Sequence, residues 1–156
     1  MNREALWPFA LELYSRPGVE AGLLALQDEH GQCVPFLIWS LWLDASGRAA
    51  DEATLTTGAM LAQSWQETAV EPLRDLRRRL KAPISPATPA AKERLRGGVK
   101  ALELEAERML LEMLEQASPA ASGVVLGPHA SLEAAVRAWG GGASPAQIAA
   151  LAVLVA

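Results

Sequence analysis

Apolar residues recur every three or four positions along most of this chain, and the breaks between these runs fall at proline and glycine. Leu6, Phe9, Ala10, Leu13 and Tyr14 predict a short helix over 4–15, which Arg16-Pro17-Gly18 interrupts. Pro17 suits the first turn of a second helix, where a missing N–H costs nothing. Val19, Leu23, Leu24, Ala25 and Leu26 carry that helix to about Glu29, and Gly31 stops it. Residues 34–43 are apolar on nearly every side, so periodicity alone leaves them open between strand and helix. With helical neighbours and no second strand-like run to pair with, a buried helix is the consistent reading.

Asp44 to Ala50 reads as a loop, and Asp51 and Glu52 complement the N-terminal dipole of the helix that follows. Leu55, Ala59, Ala62, Trp65, Ala69, Leu73, Leu76 and Leu80 then share one stripe, which predicts a long amphipathic helix. Pro72 lies inside it and cannot donate to the Thr68 carbonyl, so a kink or break is expected near 68–72. Pro83, Pro86 and Pro89 exclude helix over 82–89, and Thr88-Pro89 fits an N-cap and first-turn pair. A second long helix follows on Leu95, Val99, Leu102, Ala106, Met109 and Met113, to about Ala117. The short connection predicts that the two long helices pair antiparallel.

The expected fold class is therefore all-α: a helical bundle with a long antiparallel hairpin, about 51–81 and 89–117, packed on shorter N-terminal helices. Residues 1–117 are expected to form the bundle domain. Residues 118–156, rich in Gly, Ala and Pro, carry two short helices, 131–139 and 144–155, packed on or appended to it. The run Gly140-Gly141-Gly142 between them reads as flexible, and Ile148 to Val155 as an apolar stripe that would promote self-association, so a homo-oligomer is one expected state.

Composition narrows the function classes. A length of 156 residues suits one core, and a 51% apolar share excludes a disordered chain. Net charge −4 makes nucleic acid an unlikely partner for the surface as a whole. The single cysteine, Cys33, excludes an internal disulfide and a cysteine zinc site, and a buried structural thiol is expected. The N-terminus lacks a signal-peptide pattern, and the longest apolar run, 33–43, falls short of a membrane span. A cytoplasmic protein without a transmembrane segment is expected.

Charge is, however, strongly segregated. Residues 74–100 hold nine basic against two acidic residues, a surplus of +7, while the rest of the chain carries −11. Arg74, Arg77, Arg78 and Lys81 follow i, i+3, i+4, i+7 spacing on one helical face. Arginine forks grip phosphate and carboxylate at two points, so these four residues are a candidate site for an anionic small molecule or an acidic protein partner. The alternative is that they pair with the chain's own carboxylates and cap a helix end.

Asp28 and His30 form a second candidate polar site, able to meet across the loop after the second helix. No helical metal spacing such as HExxH is present, so neither a metal nor another cofactor is expected. Glu67/Glu71 and Glu103/Glu107 are spaced as in di-iron bundles, but the companion Glu-x-x-His motifs are missing. These glutamates are expected in solvent or paired with Arg96, Lys100 and Arg108. Of the five tryptophans, Trp7, Trp39, Trp42, Trp65 and Trp139, those at 39, 42 and 65 lie on core stripes and are read as packing residues, with a lipid-like cavity between them as the alternative. No catalytic residues can be named, and whether the chain is an enzyme stays open.

Several ordered blocks carry a resemblance: Leu6-Trp7-x-Phe9-Ala10, Leu13-Tyr14, Pro17-Gly18-Val19, Leu26-Gln27-Asp28-x-His30-Gly31, Leu41-Trp42 and Pro72-Leu73-Arg74-x-x-Arg77-Arg78-x-Leu80-Lys81. Over about residues 6–117 the chain resembles a family of uncharacterised small proteobacterial proteins, a domain of unknown function. The resemblance implies a bacterial origin and a shared helical domain, and no activity. Two functions follow as expectations: a non-catalytic helical binding protein with a basic patch at one end, or a ligand carrier or enzyme holding a phosphate or carboxylate at the arginine cluster.

Overall fold

Every residue from Val34 to Asp44 is buried, and this segment forms the helix α3 (Val34–Ala45) around which the others assemble. The structure, a computed structural model, describes residues 5–48 and 50–156. The expected helix start at Glu4 lies outside the described residues, as does Ala49 of the expected 44–50 loop. The described chain is an all-α bundle whose further helices are α1 (Leu6–Ser15), α2 (Val19–His30), α4 (Glu52–Trp65), α5 (Glu71–Arg79), α6 (Pro89–Gln116), α7 (Pro128–Trp139) and α8 (Pro145–Val155). No helix among the described residues is long and apolar enough to cross a membrane.

Phe36, Trp39 and Trp42 of α3 are the largest fully buried side chains, and α1, α2, α4, α6, α7 and α8 all contribute to the same apolar cluster. Three indole N–H groups find partners within the fold: Trp39 donates to Ser118 Oγ at 2.8 Å, Trp65 to the Ala106 carbonyl at 2.8 Å and Trp139 to the Gly31 carbonyl at 2.8 Å. The tryptophans therefore pack as a large apolar body with one polar end needs to. Cys33 is buried, and burial pushes its thiol up to about 12, so it stays protonated and unreactive at neutral pH.

The caps follow the sequence signals. Asp51 accepts the Thr54 N–H at 2.8 Å and Thr88 accepts the Ala91 N–H at 3.2 Å, with Pro89 in the first turn of α6. Two starts differ from expectation: α2 begins at Val19 rather than at Pro17, because Gly18 sits at φ 83°, outside helical space, and α7 begins at Pro128 rather than at 131, with the proline in its first turn.

The interruption expected near Pro72 takes a specific form. Residues Gln66–Val70 make a π-helical turn between α4 and α5, and the Glu71 N–H reaches back to the Gln66 carbonyl. The backbone around it remains right-handed helical, so the helix is widened rather than broken. Widening absorbs the donor that Pro72 lacks without ending the element.

Two expectations about residues 118–156 are corrected. The face of α8 carrying Ile148, Leu151, Ala152 and Val155 is buried, leaving Val153 and Leu154 exposed, so no long apolar stripe faces outward. The glycine run, expected to be flexible, is held by Gln32, whose Nε2 donates to the Gly140 and Gly142 carbonyls at 2.8 and 2.7 Å. All three of its glycines have positive φ, and a Cβ on Gly141 would press on the His30 carbonyl at 3.0 Å. Asp44, read as loop, is instead the buried last turn of α3, where its carboxylate accepts the Leu126 and Gly127 N–H groups.

Candidate functional site

The five cations of the 74–81 segment do not share one environment. Arg74 is buried at the seam between α5 and α6, where its Nε donates to Glu103 at 3.0 Å, its Nη1 to Glu71 at 2.9 Å and its Nη2 to Glu107 at 3.0 Å. Arg77, half-buried, donates from Nε to the second oxygen of Glu103. Arg78 is exposed and 3.8 Å from Asp75. Arg79 and Lys81 are exposed and have no ion-pair partner among the described residues.

The spacing that puts these side chains in sequence register thus divides them in space. Each helix contributes for a local reason. The π turn carries Gln66 into a buried position, from which its Nε2 donates to Glu71 at 3.1 Å and steadies the carboxylate against Arg74. On α6, Glu103 and Glu107 lie one turn apart on one side, matching the fork of a single guanidinium. The expected pairing of these glutamates with Arg96, Lys100 and Arg108 is not what forms. Arg96 pairs with Glu93 and Arg108 with Glu112, both within α6.

The electrostatics show which charges the cluster supports. Burial alone would lower the Arg74 pKa, but Glu103, Glu71 and Glu107 outweigh it and raise it. Burial likewise pushes Glu103 up, yet hydrogen bonds from Arg77 and Arg74 hold it below the ordinary glutamate value. Glu107 goes the other way, because burial, with the repulsion of Glu103 added, exceeds the pull of Arg74 and Arg77.

The two signs act in separate pH windows. A depressed Glu103 contributes stability above the ordinary value of 4.5 and loses it as pH falls further. A raised Glu107 costs stability once ionised, and that cost fades as pH drops from neutral towards 4.5. In thermal melts, Glu107→Gln is therefore expected to remove the gain in Tm seen on acidifying from neutral, and Glu103→Gln to remove the loss at lower pH. Identical pH profiles for the two variants would contradict the assignment.

Asp28 and His30 are not brought together. His30 Nε2 is hydrogen-bonded to Gln147 of α8 at 2.8 Å, with Glu29 at 4.0 Å, and Asp28 is exposed with Gln27 as its near neighbour at 3.5 Å. No group of three or more metal-binding side chains occurs among the described residues.

Two openings flank Arg74. One, of about 460 Å³, is lined by polar side chains that include Asp28, Gln32, Gln66 and Arg78. The other, of about 420 Å³, lies between α1, α2 and α6 and is walled largely by apolar groups, with Arg77 and Lys100 among its lining. The second was not foreseen. Its parts lie far apart in sequence, and only the exposed leucines Leu11, Leu24 and Leu104 could have hinted at it.

A family model described as a protein of unknown function, DUF2390, matches residues 5–114. No curated protein and no solved structure matches the chain.

Proposed function

The chain belongs to this family of unknown function, DUF2390, and from that premise we propose that it is a non-catalytic helical binding protein whose basic end receives an acidic protein partner. The observation that carries the reading is the division of the arginines. Arg74 and Arg77 are neutralised inside the fold, whereas Arg79, Lys81 and Arg94 flank the α5–α6 turn exposed and without ion-pair partners among the described residues. The turn is closed by Lys92, whose Nζ donates to the Lys81 carbonyl at 3.1 Å, so both basic strips lie at one end. Uncompensated charge of one sign raises the local concentration of opposite charge and speeds encounter.

The alternative reading, a phosphate or carboxylate held by Arg74, Arg77, Arg78 and Lys81 together, requires a ligand to displace Glu71, Glu103 and Glu107 from a buried guanidinium. Truncating such a pairing is costly, so the exposed residues favour the first reading.

The test is titration of polyglutamate into the protein by calorimetry, with inorganic pyrophosphate as the small-anion comparison. Binding should weaken roughly tenfold between low and moderate salt. The variant Arg79→Glu/Lys81→Glu/Arg94→Glu should lose it with no change in melting temperature. Tight pyrophosphate binding that survives this variant would support the alternative instead.

A further inference from the structure

Three large apolar side chains that lie exposed on different helices, Leu11 of α1, Leu24 of α2 and Leu104 of α6, converge on the 420 Å³ cavity beside the charge cluster. Scattered exposed leucines need no explanation, but leucines gathered around one concave opening mark a place where apolar surface is waiting to be covered. Ile38 of α3 forms part of its inner wall. Trp7 lines it too, its ring covered by the Arg108 guanidinium at 5.1 Å. The volume falls within the range of small-molecule pockets.

The polar side of the cavity restricts what can enter. Its charged lining is three cations, Arg74, Arg77 and Lys100, and three carboxylates, Glu20, Glu103 and Glu107. Arg74, Glu103 and Glu107 are committed to one another. Arg77 spends Nε and Nη2 on Glu103 and keeps Nη1 without a hydrogen bond among the described residues. Lys100 is exposed, has no ion-pair partner among them, and stands one helical turn from Leu104. Two unused cationic donors therefore face a single unused carboxylate, Glu20, at the apolar mouth. With Glu103 and Glu107 paired to arginines, Lys100 and the free Nη1 of Arg77 can offset one negative charge against Glu20, and a second charge on the ligand would go unmatched.

We propose that this cavity binds an amphipathic monocarboxylate, with its carboxylate between Lys100 and Arg77 and its apolar body against Leu11, Leu24, Ile38 and Leu104. The Tyr14 hydroxyl, which lines the same space and has no hydrogen-bond partner among the described residues, supplies one further donor. Burial and the neighbouring Glu107 and Glu20 raise its pKa, so the phenol stays protonated and can donate to a carboxylate.

Decanoate is the probe. Calorimetric titration into the full chain should show one saturable site. Lys100→Ala should weaken it at least about tenfold, and Leu104→Asp should abolish it. Both positions are exposed, so both variants should keep the wild-type circular dichroism and melting temperature. Neither touches the basic turn, so loss of decanoate binding and loss of polyglutamate binding are separable. Decyltrimethylammonium, with the same tail and the opposite charge, should bind at least about tenfold more weakly than decanoate. No saturable binding of decanoate up to about 1 mM, equal binding of the two probes, or unchanged affinity in both variants would overturn the proposal.

Discussion

Replacing Arg74 by alanine is expected to cost about 3–5 kcal/mol of folding stability, read as a fall in the denaturant midpoint. The size follows from what is left behind. Glu103 is buried and Glu107 mostly so; without Arg74, Glu107 loses the guanidinium hydrogen-bonded to it and Glu103 is left with Arg77 alone. A buried ion pair is weak evidence of net stabilisation, but removal of one partner exposes the full desolvation cost of the others. Arg74→Lys should lose less, since the charge survives but the fork that reaches three carboxylates does not. A loss below about 1 kcal/mol for Arg74→Ala would mean that water reaches these carboxylates and that the cluster does not fix α5 against α6.

Trp39→Ala is the second large effect, at about 3–5 kcal/mol, because it empties the centre of the bundle and leaves Ser118 without its indole donor. Its surroundings explain why the hole would not collapse. Gly58 of α4 lies against the indole so closely that an added Cβ would overlap the Cη2 and Cζ3 atoms of Trp39. Gly58→Ala should therefore destabilise by about 1–3 kcal/mol through overpacking, against the ordinary gain from removing a helical glycine. The two losses should be coupled: Gly58→Ala placed on Trp39→Ala should cost little or nothing, since the ring it strikes is gone. Strictly additive losses in equilibrium unfolding would show that the two residues do not share the contact.

Much of the architecture could be read from local rules. The apolar segment of α3 is a helix, with α1, α2 and α6 on its flanks, and the helix signals at Asp51 and Thr88 act as caps. Pro72 announced an interruption because the missing N–H is a property of the residue itself. The form of that interruption, a π turn at Gln66–Val70, depends on how α4 and α5 must both meet their neighbours, which no local pattern encodes. The same holds for Gly58. A glycine inside a helix reads as a weakness until Trp39 is placed against it.

The candidate site was legible only in part. Arg74, Arg77, Arg78 and Lys81 stood out through periodicity, but periodicity could not separate the buried Arg74 from the exposed Lys81. Assigning Glu103 and Glu107 to partners within their own helix follows the i, i+4 rule, and that rule fails here because a buried guanidinium from another helix lies closer. Asp28 and His30 adjoin in sequence yet find separate partners, His30 being drawn off by Gln147 from over a hundred residues away.

The measurement that bears most directly on the account compares two variants in two assays. In the account, Arg74→Ala lowers the melting temperature and, while folded, still binds polyglutamate. Arg79→Glu/Lys81→Glu/Arg94→Glu keeps the melting temperature and loses the binding. The reverse, with polyglutamate binding lost on removal of Arg74 from the folded protein and kept in the triple variant, would place the anion site at the buried arginine and contradict it.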